Sequence, residues 1–575
     1  MEKELKNFIK EYELNPFLES IKSKTIKLED ESILKTLDAK SVHKKVLTKI
    51  SSNFMFKDTD KILKVFNFTT EKDKIIQRQE FFKSIIKELD NNFLKQITKP
   101  KITWKPNYDI LVVTENENTF LTLKDVGCPV QLLTSPHDIS DLDRYEIVQV
   151  IDCDEFSRVL ETLPQSIFLN SIDEVYLERY VSMLSSWKNN IEIIQKNQTN
   201  EEITQITNNL SKLFFLFNNQ ESEKISRSIV EEKLEEINEE VSNKIKELTI
   251  SGDSLFKMLS KSKLPDEFEA IINQSISKTN LPESVFSKKI PVEIDEAELE
   301  DIIKRQNIEE HSNVALNIKK YSNQLKNIPS ELKKLSESLV FFDFQAGISK
   351  FSQDSNNFPE ISDSLIIENS NNLFLDNAQP ISFNLTSKSK CSILTGANSG
   401  GKTTLIEHII QLISLFQIGL PTRGKVKLPL FSEVYYFAKN KGSTNKGAFE
   451  NLLTQISKIK PGNKSLILAD EIEAVTEPGV AGNIIRATAE YFTSKGCFMI
   501  IATHLGKHIQ DCLPDETRID GIEAKGLDDN FELIVDHNPV LGKLASSTPE
   551  LIIERMAKSQ GNVDFFRFLN EYMKK

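Results

Sequence analysis

Glycine and proline are scarce in this chain, 19 of each among 575 residues. Both residues punctuate turns, so their scarcity argues against a turn-rich β protein and for long helices. Cysteine is scarcer still, and Cys128, Cys153, Cys391, Cys497 and Cys512 are scattered without a C-x-x-C pair. That pattern offers neither a disulfide framework nor metal-ligand spacing, and it fits a reducing interior. Long apolar runs are missing too: no stretch approaches the ~18 residues of a membrane span. Residues 1–25 are charged throughout, so no secretory leader is expected. The chain is therefore expected to be cytoplasmic, with no membrane partner. A basic excess is also lacking, since the net charge is −13. Nucleic-acid binding needs only a local basic face. Residues 1–100 are net basic within this acidic chain, which marks either a DNA-facing surface or a solvated helical one.

What is present begins with Cys391 to Glu407, CSILTGANSGGKTTLIE. An apolar run enters a glycine loop, and Lys402-Thr403-Thr404 open a segment whose apolar residues (Leu405, Ile406, Ile409, Ile410, Ile413, Phe416) keep helical spacing. This is strand, loop, helix with G-x-x-x-x-G-K-[ST] at Gly396, Ala397, Asn398, Ser399, Gly400, Gly401, Lys402 and Thr403. Such a match arises by chance roughly once in a hundred chains of this length and glycine content. Glycines let successive backbone N–H groups turn inward around a phosphate, and the helix N-terminus adds partial positive charge. Lys402 can reach the β- and γ-phosphates, and the Thr403 hydroxyl can ligate Mg²⁺. ATP and Mg²⁺ are the expected ligands.

Ser465 to Glu473, SLILADEIE, is an apolar strand ending in two carboxylates. Asp470 is the expected Mg²⁺ ligand and Glu471 the group that polarises the attacking water. A third strand, Phe498–Ala502, ends in Thr503-His504, where His504 can sense the γ-phosphate. His408 reads as structural. All three motifs fall between Gly396 and His504, so no long coiled coil splits the motor as in chromosome-condensation ATPases. No LSGGQ-like sequence precedes Asp470, which argues against a transporter subunit.

Around this motor the expected fold is multidomain, α and α/β. Residues 1–100 read as the first part of a helical core, with a helix start at Thr70 (N-cap) and Asp73. Residues 101–170 carry short strands alternating with helices at 109–114, 130–134, 147–151 and 166–169, a small inserted α/β module with a partly parallel sheet. Residues 171–340 read as lever and clamp-like helices. There Val230, Leu234, Ile237, Val241, Ile245 and Leu248 form a heptad-like seam, either a coiled coil or an amphipathic helix in a bundle. Breaks at Ser251-Gly252-Asp253, Pro282 and Pro291 would let a second helix over about 296–339 pair with it. Residues 341–545 form the C-terminal ABC-type P-loop ATPase domain, with extended runs at 365–367, 373–375 and 382–384, and 546–575 the C-terminal helices.

These motifs resemble those of the MutS family. TGANSGGKTT is similar to that family's TGPN-x-GGK-[ST], with Ala397 in place of proline, and DEIEAVTEPG (470–479) resembles its DEI/L-G-x-G-T segment. IATH (501–504) resembles its ATH strand end, IQRQEFF (76–82) an R-x-E/Q-F segment of its helical core, and ASSTPELIIERM (545–556) its final helix. The resemblance covers residues 300–575 well and 1–100 and 170–300 loosely. It implies ATP hydrolysis at two sites across a head-to-head homodimer, with helical levers reaching a DNA clamp. No N-terminal mismatch-wedge module and no C-terminal nuclease domain is read here, as in a short, archaeal-like branch. The family's Ser-Thr-Phe trans contact is not reproduced either; Gly442-Ser443-Thr444-Asn445 lies in roughly that place, making Ser443 the candidate. The resulting expectation is an ATP-dependent, nucleoid-associated DNA-binding protein of repair or recombination acting on double-stranded, branched or non-B DNA. A nucleotide-switched scaffold for protein partners and a true mismatch binder are the alternatives.

Overall fold

The β-branched runs of residues 109–170 become four short strands: β1 Ile110–Thr114, β2 Val130–Leu132, β3 Ile147–Val150 and β4 Ser166–Phe168. The computed structural model describes residues 1–17, 33–100, 109–125, 127–197, 199–216, 226–247, 264–303, 320–355, 357–396, 400–438, 454–459, 462, 464–471, 478–527, 533–545, 553, 555–558 and 564–573. The chain divides into two units, one of Pro100–Glu192 with Gln205–Leu332, the other of Met1–Lys99, Ile193–Thr204 and Lys333–Lys575.

In the first of these units the four strands form one sheet in the order β2-β1-β3-β4, every pairing parallel. β1 is buried along its whole length, as a central parallel strand covered on both faces must be. The same unit contains the helices Arg227–Lys246 and Asp266–Ser277. Val230, Ile237 and Val241 of the seam are buried against Ile272, Ile276, Val285, Phe286, Val292 and Leu299, with Leu234 and Ile245 packed beside them.

The seam packs on the start of the expected helix over 296–339, through Leu299 with Ile302 and Ile303 beside it. That segment, however, shares the seam with Asp266–Ser277 and the hairpin β5 Phe286–Ser287 with β6 Glu293–Ile294, and the next long described helix is Ser322–Phe351. The hairpin is pinned by Asn238, whose amide donates to the Val292 carbonyl at 3.0 Å and accepts from its N–H at 2.8 Å. Leu248 and Ser251-Gly252-Asp253 lie outside the described residues.

The other unit is built on two sheets around one helix. The larger sheet contains β10 Cys391–Gly396, β12 Glu433–Phe437, β13 Ser465–Asp470, β14 Phe498–Ala502, β15 Thr517–Leu527 and β16 Leu533–Leu541. Its order is β12-β13-β14-β10-β15-β16, parallel except for the last pair. The smaller sheet runs β7 Glu360–Ile361, β11 Lys425–Leu428, β8 Leu365–Ser370, β9 Ile381–Leu385. Alternation along the parallel strands divides their side chains between two layers. Leu394, Leu466, Leu468, Ile500 and Ala502 pack with the helix Lys402–Ile418 and with Ile367, Phe383, Val426 and Leu428 of the small sheet. Ile393, Ile467, Met499 and Ile501 pack instead with Ile485, Ala489 and Phe492 of the helix Pro478–Ser494. Lys402–Ile418 is thus covered nearly all round, and every residue from His408 to Ile418 is buried, the polar ones included.

Residues 1–100 attach to this frame. Leu34 pairs with Val434 beside β12, and the helices Leu37–Ser51 and Lys72–Ile85 contribute Ala39, Val42 and Ile75 to the core around Lys402–Ile418. Lys72–Ile85 starts with Glu71 at its cap rather than Thr70. Asp343 of Ser322–Phe351 is fully buried and accepts from the N–H groups of Met55 and Phe56, from Thr59 Oγ and from Asn91 Nδ2. The run 373–375, expected to be extended, is a turn between β8 and β9. Asn372 Oδ1 accepts the Phe374 N–H at 2.8 Å, and Gln411 Oε1 accepts that of Leu373 at 3.0 Å, so the local side chains outcompete a sheet ladder.

Candidate nucleotide site

The loop after β10 needs glycine at both ends for steric reasons. Gly396 has φ +138, and a Cβ there would lie 2.5 Å from the Ile522 carbonyl oxygen of β15. Gly401 has φ +96, and a Cβ there would lie 3.0 Å from Nδ1 of His537. The chain then enters Lys402–Ile418, with Leu405 N–H bonded to the Gly401 carbonyl at 2.9 Å. Amides of a helix's first turn point back along its axis, here toward the loop.

Of the residues picked from the sequence, Gly396, Gly400, Gly401, Lys402, Thr403, Thr404, Asp470, Glu471 and His504 are described; Ala397, Asn398, Ser399 and Ser443 lie outside the described residues. Lys402 is buried, and its Nζ donates across the loop to the Gly396 carbonyl at 2.7 Å. Thr403 Oγ donates to Asp470 Oδ2 at 2.5 Å, joining the helix start to the end of β13. Thr404 follows, half-buried, on the first turn. Glu471 has left-handed backbone, φ +48, and its N–H is held by the Ala502 carbonyl at 2.9 Å. That bend carries its carboxylate to His504, whose Nε2 lies 2.6 Å from Glu471 Oε1. His504 Nδ1 lies 3.5 Å from Lys402 Nζ. A carboxylate on Nε2 and an ammonium facing Nδ1 assign the Nε2–H tautomer to the ring.

The three separate sequence motifs thus converge on one end of the parallel sheet. A hydroxyl and a carboxylate already within hydrogen-bond distance, Thr403 and Asp470, are the hard oxygen donors that suit Mg²⁺. The glycine loop, the helix N-terminus and Lys402 suit a polyphosphate. The expected structural role of His408 agrees with its surroundings: it is fully buried, and its ring nitrogens face Gln411 Oε1 at 3.3 Å and Ser370 Oγ at 3.0 Å. Burial pushes its imidazole down to about 4.

Two residues were not legible as part of this neighbourhood. His537 of β16 sets Nδ1 2.9 Å from the Gly400 carbonyl, and its own N–H bonds Gln379 Oε1 at 3.1 Å. Arg78 approaches the far end of Lys402–Ile418, where its Nη1 donates to the Gln417 carbonyl at 2.6 Å. No spacing rule links a histidine on β16 or an arginine on an early helix to a glycine loop.

No family model matches the chain. The chain is 29% identical over 578 aligned positions to the DNA-binding protein MutS2 of Pyrococcus furiosus, covering 94% of this chain and 99% of that relative. It is 29% identical over 202 positions to the DNA mismatch repair protein MutS of Fervidobacterium nodosum, 32% of this chain and 24% of the relative. It is 29% identical over 118 positions to the endonuclease MutS2 of Clostridium perfringens, 20% of this chain and 15% of the relative.

Proposed function

The chain belongs to the MutS family, and on that premise we propose that it is an ATP-hydrolysing, DNA-binding protein of DNA repair or recombination. The observation that carries the motor half is the convergence of Lys402, Thr403, Asp470, Glu471 and His504 at one sheet end. The DNA half rests on kinship, above all on the relative matched along almost its whole length, which is named a DNA-binding protein. The mismatch repair relative matches over only 32% of this chain. Branched or otherwise non-B DNA is accordingly the proposed ligand, ahead of a mispaired duplex.

In this reading residues 341–545 form an ABC-type P-loop ATPase domain. The glycine loop and the first-turn amides of Lys402–Ile418 cradle the phosphates, and Lys402 exchanges the Gly396 carbonyl for β- and γ-phosphate oxygens. Thr403 and Asp470 hold Mg²⁺, which neutralises charge on the phosphates when bound. Glu471 orients and deprotonates the attacking water, and His504, touching both Glu471 and Lys402, registers the γ-phosphate. His537 lines the loop from β16. Two copies close head to head, Ser443 of each completing the other's site. Residues 171–340, the levers, carry the change to DNA, with 1–100 as the first part of the helical core, 101–170 as an inserted module and 546–575 as terminal helices.

Filter binding of the full chain to plain duplex, mismatched duplex and four-way DNA tests this, with and without ATP and over a salt series. Retention of four-way DNA that weakens steeply with salt is expected, because phosphate contacts release counterions. Preference for the mispaired duplex would instead make it a mismatch binder. No DNA retention in any nucleotide state sinks the DNA half and leaves a nucleotide-switched scaffold for proteins.

A further inference from the structure

The last turn of Lys402–Ile418 leaves four carbonyls that need partners from outside the helix ladder. Gly419, at φ +96, and Leu420 form a Schellman turn. Gly419 N–H bonds the Phe416 carbonyl at 3.1 Å, and Leu420 N–H bonds that of Leu415 at 2.9 Å. The Gln417 carbonyl is taken by Arg78 Nη1 at 2.6 Å. Arg78 is only 7% exposed. Burying a guanidinium demands compensation, yet among the described residues it forms no ion pair with a carboxylate. Its compensation is the negative end of the helix dipole together with the Phe66 ring, whose centroid is 5.8 Å from Cζ. Burial pushes the guanidinium down from its usual value, with Glu4 opposing, and arginine keeps its charge in such surroundings.

The same junction is tied twice more. Thr69 N–H donates to Gln417 Oε1 at 2.8 Å. The backbones also meet closely, since a Cβ on Gly419 would lie 2.6 Å from Arg78 Cβ. The helix spans about 25 Å at 1.5 Å per residue, with the glycine loop at one end and Arg78 at the other. Phosphate charge is favoured at its N-terminus and a cation at its C-terminus.

We propose that Arg78 is a positioning residue for the nucleotide site: it sets the axial seat of Lys402–Ile418 from behind and couples that seat to the helix Lys72–Ile85. The inference rests on the nucleotide-binding reading above. A bond of 2.6 Å has little slack, so any axial shift of the helix on binding phosphates must strain it or move Lys72–Ile85 along. Coupling is reciprocal: whatever disturbs Arg78 changes nucleotide affinity, and nucleotide changes the protection of residues around Arg78.

The test uses the full chain with Mg²⁺ and ATP. ATP affinity is measured for wild type, Arg78→Met and Arg78→Lys well below each protein's melting temperature. Hydrogen exchange of residues 79–86, 400–405 and 415–420 is followed with and without ATP. Arg78→Met is expected to raise the Kd for ATP about five-fold or more and to abolish the ATP-dependent change at 79–86. Arg78→Lys, whose ammonium can still approach the carbonyl, recovers part of both. A merely structural arginine would lower the melting temperature while leaving the Kd and the exchange response as in wild type, and that result overturns the proposal. If Arg78→Met does not fold, wild type decides: ATP protection at 400–405 with no change at 79–86 and 415–420 overturns it. Wild type that binds no ATP brings down the nucleotide reading first and this inference with it, so the two failures are distinguishable.

Discussion

Replacing Glu471 by glutamine should separate binding from hydrolysis at the candidate site. The carboxylate is nearly enclosed, 10% exposed at its side chain, and its Oε1 sits 2.6 Å from His504 Nε2. Its backbone is placed by the strand and not by the carboxylate, because Glu471 N–H bonds the Ala502 carbonyl at 2.9 Å. A glutamine can present its amide oxygen to His504 and keep that arrangement, but it cannot accept a proton from water. General-base assistance is typically worth about 10²–10⁴-fold, which corresponds to roughly 3–5 kcal/mol in the barrier. Steady-state phosphate release at saturating ATP should fall by that factor. ATP at about a hundred times its Kd should still stabilise the variant by about 2.7 kcal/mol, read as a rise in melting temperature, and dimers should accumulate on gel filtration with ATP. Hydrolysis at the wild-type rate would refute the assignment of the base. Loss of the ATP-induced rise would refute it differently, by showing that the carboxylate serves binding.

Lys402→Ala should lose that thermal rise altogether, because the buried ammonium spanning the loop is the proposed phosphate contact. His408→Gln should flatten the acid limb of stability. The native imidazole is pushed down to about 4, so the folded state binds fewer protons than the unfolded one below pH ~6.5. Its contribution is intact above that pH and is lost as pH falls toward 4, by up to about 3 kcal/mol, measurable by urea titration at several pH values. Asp343→Ala should destabilise the chain by at least about 3 kcal/mol, since the Met55 and Phe56 amides, Thr59 and Asn91 lose a shared buried acceptor. Wild-type urea midpoints would contradict this. Gly419→Ala should cost at least about 1–2 kcal/mol from its left-handed backbone alone.

What could be read from the sequence follows from how local each feature is. The strand before the loop, the glycines and Lys402 are adjacent in the chain, the strand ending in Asp470 is a second local pattern, and each needs a particular residue type at a fixed offset. Their convergence in space is visible as Thr403 on Asp470 and His504 on Glu471. The four short runs after residue 109 were legible because β-branched residues between turns have few alternatives. The extended reading of 373–375 failed because Asn372 and Gln411 supply hydrogen bonds that no apolar count registers. The partners of the 230–245 seam were read only in part for a related reason: Leu299 of the expected helix packs on it, but so do Asp266–Ser277 and the hairpin. An apolar stripe says that something covers it, whereas Asn238 and the hairpin around Val292 decide what does. Arg78 and His537 meet the helix and the loop from elements far away in sequence, so their roles exist only in the fold.

Strand order explains why one histidine can touch both halves of the site. β14 lies between β10, which delivers the glycine loop, and β13, which delivers the acidic pair. Had β13 paired directly with β10, the residue ending a third strand would face the loop or the acids from one side only. With β14 in the middle, the position after its end falls between Lys402 and Glu471, and His504 meets the first at 3.5 Å and the second at 2.6 Å. In the proposed reading, loss of a γ-phosphate changes the partner of Lys402, and His504 is the side chain placed to pass that change to Glu471. Behind the loop, the same helix that presents Lys402 ends on Arg78. The candidate nucleotide site is therefore built from a sheet that brings acid, imidazole and loop together at one edge, and a helix whose other end is held by a residue before Lys99.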